Sequence, residues 1–131
     1  MPKSSVIQNV GPTNTILARL TGFDCLTVTI ASDDVTADAN GKKIVKAGTF
    51  LGSAVAGKKI MADGAKAKPD NSETTEGLLF YDADVTRGDL EVAMLYKGTV
   101  ALKRLPEPPA AATTEPESAG VNLPRVTFVQ D

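Results

Sequence analysis

The sequence has no histidine and no tryptophan, and it carries one cysteine, four phenylalanines and two tyrosines. Each shortage closes off a kind of chemistry. Without histidine there is no Ser–His or Cys–His pair, and the commonest general base and zinc ligand are missing. The single Cys25 leaves no internal disulfide to form, and its neighbours Phe23 and Leu26 mark it as a small buried hydrophobe with no activating group beside it. No secretory apolar segment and no membrane-length apolar run is present. The expectation is therefore a soluble chain made in the cytoplasm, with no membrane partner. Positive charge is not in excess, with 14 Lys and Arg against 16 Asp and Glu. At a formal net charge of −2 there is no broad basic footprint for nucleic acid. The clusters Lys42, Lys43, Lys46 and Lys58, Lys59 have no interleaved aromatics and read as solvated turns and edge protection.

What remains is enough for one ordinary domain. The 131 residues are 42% hydrophobic, so the chain can bury a core. With aromatics scarce, Val, Leu, Ile and Ala must fill that core. Such residues favour strands packed into a compact β-sandwich or barrel, so the expected class is mainly β.

The chain divides into four parts. Residues 1–19 are polar and broken by Gly11 and Pro12, with Val6, Ile7, Val10, Ile16 and Leu17 scattered through them. They read as an arm that is either flexible or orders on a neighbour. Residues 20–105 form the β-rich domain. In it, "LTVTI" at 26–30 alternates as a half-buried strand. Asn40-Gly41 signals a tight turn with a return strand over 42–46. "GTFLGSAVAG" at 48–57 is small and apolar, and residues 58–76 are loop-like with room for a short helical turn. Residues 106–120, "PEPPAAATTEPESAG", hold four prolines and three glutamates and read as an extended linker. Residues 121–131 end in "VTFV", a strand expected to dock back on its own sheet or on a neighbour's.

The richest stretch is "GLLFYDADVTRGDLEVAMLYKGTV" at 77–100. Alternation predicts one strand over 78–85, with Leu79, Tyr81, Ala83 and Val85 on one face and Leu78, Phe80, Asp82 and Asp84 on the other. An exposed turn carrying Arg87, Gly88 and Asp89 follows. A return strand then places Leu90, Val92, Met94 and Tyr96 on one face, and a further strand runs over 99–105. The whole reads as a β-meander. Tyr81, Met94, Tyr96 and Phe128 fit either a core or a subunit interface, and periodicity does not choose between them.

Three patterns within these stretches invite a chemical reading. "GSAVAGKK" at 52–59 matches most of a phosphate-binding loop, but Lys59 stands where a magnesium-holding Ser or Thr belongs. Asp82, Asp84 and Asp89 lack the spacing of a calcium loop and read as carboxylates at a strand end. Arg87-Gly88-Asp89 is the integrin-type adhesion triplet, and it is also what a hairpin turn asks for. No metal, no cofactor and no enzymatic activity is expected.

Taken together, "KKIVKAGTFLG" at 42–52, the 77–100 stretch and the terminal "LPRVTFV" at 123–129 resemble the head decoration proteins of tailed bacteriophages. These capsid cement or stabilisation proteins form the broad group of the lambda head decoration protein. The resemblance spans residues 26–105 and the tail, and its motifs are structural. It implies a small β-rich domain, here expected to be of the β-tulip type, that sits on the outer capsid surface as a homotrimer at three-fold and quasi-three-fold positions. There it would clamp neighbouring subunits of the major capsid protein and stabilise the expanded head. Val6, Ile7, Val10 and Ile16 would be the capsid-binding arm residues, and the protein would be a virion component made in the host cytoplasm. The alternative reading is a ligand- or receptor-binding β module that uses the Arg87-Gly88-Asp89 turn.

Overall fold

The computed structural model describes residues 15–110 and 121–130. It is mainly β. The strands are β1 (Asp24–Ile30), β2 (Ile44–Val45), β3 (Phe50–Ser53), β4 (Ala67–Pro69), β5 (Thr75–Leu79), β6 (Ala83–Asp84), β7 (Leu90–Ala101) and β8 (Val126–Val129). One helical turn, α1 (Ile60–Asp63), precedes β4.

Five strands form a closed ring. β1 pairs with β4 in parallel, and β4–β3, β3–β5 and β5–β7 are antiparallel. The antiparallel β7–β1 ladder, running from Cys25↔Leu95 to Ile30↔Leu90, closes the barrel. β7 outruns β1, and its last residues carry β8 in parallel, from Gly98↔Val126 to Ala101↔Val129. The terminal strand thus docks within its own chain. β2 and β6 form a separate two-stranded sheet.

Strand alternation builds two apolar layers. Leu51, Leu79 and Met94 point into the barrel with Val28, Ile30, Val85 and Ala67. Their neighbours Phe50, Leu78 and Leu95 point outward, and Ile16, Leu17, Phe80, Val100 and Val126 cover them. Both faces of β3 and β5 are consequently buried, and every residue of β5 is. This double layer is how a chain poor in aromatics protects its sheet from water.

Several expectations change. The predicted strand over 78–85 is broken at residues 80–82. Leu79, Ala83 and Val85 keep the inner face, but Tyr81 swings out to 63% exposure. The meander is therefore interrupted, because β6 leaves the barrel to pair with β2. β2 is also shorter than the predicted return strand and does not pair with β1. The strand expected over 99–105 is the continuation of β7 and ends in a 3-10 turn at Leu102–Arg104. Residues 58–76, read as loop with room for a helical turn, contain that turn as α1 but also β4 and the start of β5.

The domain also begins earlier than expected. Ile16 and Leu17 are buried in the outer layer, so Ile16 is a core residue and not an arm anchor. Val6, Ile7 and Val10 lie outside the described residues. The proline-rich segment does not separate two distant parts. Asn71 holds its start by donating to the Pro108 carbonyl and accepting from the Ala110 N–H. The Val121 N–H then donates to the Ala110 carbonyl at 2.9 Å, so the residues on either side of 111–120 meet.

Gly77 marks the tightest backbone approach in the barrel wall. A Cβ there would stand 2.5 Å from the Leu95 carbonyl oxygen and 2.7 Å from Met94 Cγ. The carbonyl is main chain and cannot rotate away. Gly77→Ala is expected to lower stability by about 1–3 kcal/mol, the usual cost of overpacking, as read by urea denaturation.

Candidate functional site

The residues that resemble chemical sites are fastened into the fold. Cys25 is half-buried, and burial, aided by the Asp24 charge, pushes its thiol up to about 11, so little thiolate exists at neutral pH. Asp82 accepts the Ala47 N–H at 2.7 Å. Asp84 accepts both the hydroxyl and the N–H of Thr86, which hold its carboxyl below the usual range. Among the described residues no group of three or more Cys, Asp or Glu is placed to hold a metal ion. No helix among them is long and apolar enough to cross a membrane.

The phosphate-loop pattern also dissolves. Its residues border a depression of about 440 Å³ that Lys58, Lys59 and Lys68 share with Asp70 and Glu76. The N–H groups of Ile60 and Met61, which open α1, already donate to the two carboxylate oxygens of Glu76 at 2.6 and 3.1 Å. A buried side chain of the same chain occupies the place where an anion would sit.

The Arg87-Gly88-Asp89 turn is exposed, and Gly88 has the positive φ of 146° that the turn needs. Its carboxylate, however, is engaged. Asp89 accepts the Ser32 N–H at 2.8 Å and pairs with Lys66. These contacts tie the turn to the 3-10 segment Ser32–Asp34 and to the residue before β4. A receptor that grips the Asp89 carboxylate would have to break both.

Exposed apolar groups gather elsewhere. Phe23 stacks on Phe80 with ring centroids 5.5 Å apart, and Phe80 meets Tyr81 edge-on at 4.6 Å. Tyr81, Phe23 and nearby Leu20 in sequence are all exposed. Of the four residues left open between core and interface, Met94 is fully buried. Phe128 is half-buried and tilts against Phe50 at 6.1 Å. Tyr96 is partly exposed and donates its hydroxyl proton to Asp24 at 2.7 Å, which raises its pKa. Of the four, Tyr81 is the most exposed.

The root of the N-terminal segment is firmly held. Leu17 bridges Val100, the Ala18 N–H donates to Thr99, and the Ala101 N–H donates to Ile16. The Arg104 guanidinium donates to the carbonyls of Thr15 and Leu17 at 3.2 and 2.8 Å. Thr15, Ile16 and Arg104 also border a cleft of about 570 Å³ with Lys46, Asp82 and Pro106. Sequence reasoning missed Arg104, since its partners lie 87 and 89 positions away. It also missed Phe23, whose only signal was an aromatic beside an alternating strand.

Comparison with family models, with curated proteins and with solved structures finds no match for this chain.

The Asp89 contacts carry a pH signature. The Lys66 hydrogen bond first, and then the Ser32 N–H, lower the Asp89 pKa in the folded state. A lowered folded pKa adds stability above the unfolded value of about 3.9 and loses it as pH falls through the folded value. Asp89→Asn is expected to be less stable than wild type at neutral pH. That gap should close below about pH 4 in urea midpoints measured against pH.

Proposed function

We propose that this is a structural virion protein of the phage head decoration type. It binds the outer surface of the expanded capsid as a homotrimer at three-fold and quasi-three-fold sites, and it clamps neighbouring major capsid protein subunits. The sequence resemblance suggests the reading, and the root of the N-terminal segment is the observation that carries it. A clamp needs an arm fixed where it leaves the domain, so that load on the arm reaches the sheet. Residues 15–18 meet this need, because the bonds to Val100, Thr99, Ala101 and Arg104 anchor them along β7. Residues 1–14 then leave from a fixed point, with Val6, Ile7 and Val10 as the apolar anchors for a capsid strand edge. The exposed rings of Phe23 and Tyr81, which flank the buried Phe80, supply an apolar surface for contact between subunits.

A single arm of this kind binds weakly, since ordering costs about 1–2 kcal/mol per residue. Three arms on one trimer make the later contacts intramolecular, and avidity gains about 10²–10⁴-fold. Binding only the assembled lattice makes that lattice harder to pull apart.

The test is co-sedimentation with expanded capsids stripped of decoration protein. Saturable binding is expected for the full chain. Deleting residues 1–14 should abolish it while leaving the urea midpoint in place, because every described residue of the two buried layers is kept. Unchanged binding by the truncated chain would overturn the role of the arm. No binding by the full chain would overturn the reading itself.

A further inference from the structure

The two margins of the sheet around the end of β7 are finished differently. At the margin formed by residues 15–18, the Leu17 N–H is taken by Thr15 Oγ1 at 3.2 Å, and Arg104 caps the carbonyls of Thr15 and Leu17. The other margin is β8, and it lacks such caps. The Gly98 N–H donates to the Arg125 carbonyl at 3.1 Å. Together with the parallel register, this turns the backbone groups of Thr127 and Val129 toward β7. Those of Val126, Phe128 and Gln130 therefore point away from the sheet. The Val126 N–H folds back to the Leu123 carbonyl at 3.0 Å. No described residue takes the Val126 carbonyl, or the N–H and carbonyl of Phe128. Sheet edges are usually protected by Lys, Pro or an inward charge. The β8 sequence Val-Thr-Phe-Val contains none of these.

We propose that β8 pairs antiparallel with β8 of a second copy, about a two-fold axis centred on Phe128. In that register Phe128 exchanges both backbone hydrogen bonds with Phe128 of the second copy. The Val126 carbonyl accepts the Gln130 N–H of the second copy, and the reverse bond forms symmetrically. Charge selects this partner and this register. Arg125 is exposed and has no ion pair among the described residues. Continued one position past the described residues, the two-fold register would bring it opposite position 131 of the second copy, which the sequence gives as Asp. The chain's own arm suits the edge less well, because residues 1–14 carry Lys3 and no acidic residue. An isologous contact of this kind closes at two copies. On a lattice of three-fold trimers it would join each trimer to its neighbour across a two-fold axis, a role beyond holding capsid subunits.

The experiment uses the full chain without capsids, so its outcome is independent of the capsid reading. Sedimentation velocity over a concentration series should show a reversible step to heavier species: a doubling where the species at dilution is one chain, and growth beyond a doubling where it is a trimer, which carries three β8 edges. Hydrogen exchange should show the Phe128 amide slowing as that step fills, with the Thr127 and Val129 amides, already bonded to β7, unchanged. Phe128→Pro removes a donor that no described residue uses, and it should weaken the step by about tenfold or more. The Phe128 ring also packs on Phe50, so a charge swap provides a second variant. Arg125→Asp should weaken association, and adding Asp131→Arg in the same chain should restore it. A mass that does not rise with concentration overturns the proposal. So does association without slower Phe128 exchange, or a charge swap that fails to rescue.

Discussion

Everything in this structure depends on β7. Its first half completes the barrel by pairing with β1 on one side and β5 on the other. A closed ring leaves no internal edge, which is the usual solution for a small β domain. But β7 is 12 residues long and β1 is 7, so β7 overhangs the ring. The overhanging backbone still needs partners. It finds them in residues 16–18 on one side and β8 on the other. Residues 16–18 and the terminal strand thus share one place because a single strand is too long for its barrel.

The same geometry explains which parts of the fold were legible in the sequence. Alternation located β1 and the first half of β7, because their outer faces partly meet solvent. It could not orient β5. With Leu78 in one layer and Leu79 in the other, both faces are apolar and neither reads as outside. β4 reads Ala-Lys-Pro and has no strand signature, and it is a strand only because the edges of β1 and β3 need filling. The single turn of α1 depends on Glu76, 16 positions away from Ile60. Ile16 and Leu17 sit in a polar stretch that reads as arm, and only the overhang of β7 draws them inside. In the candidate site, the Arg87-Gly88-Asp89 turn was legible because turn chemistry is local. Its fastening to Ser32, 57 positions away, was not.

Why so many carboxylates look like sites follows from the size of the domain. A small barrel has long loops relative to its core, and loop N–H groups need acceptors. Asp38 takes the N–H groups of Asn40 and Lys42, Asp82 takes that of Ala47, Asp84 that of Thr86, and Glu76 those of Ile60 and Met61. A carboxylate committed to one or two main-chain donors has lost much of the freedom that a ligand or a proton-transfer role requires. The Cys25 thiol, at about 11, is likewise mostly protonated at neutral pH.

That distribution gives the proposed assembly a load path. The arm enters antiparallel beside Val100, and β8 lies in parallel on the other side of the same four residues. Tension on a capsid-bound arm would pull the root along β7, where its hydrogen bonds share the load in shear. β7 would pass the load directly to β8, and β8 to the strand of a second copy. The route crosses neighbouring strands and never the barrel core. The margin capped by Arg104 belongs to the element that must not slip or pair elsewhere, while the open margin belongs to the element free to join. The barrel's remaining task is to hold β7 rigid, and a ring of five strands with apolar layers on both sides of its wall does that without needing large aromatic side chains.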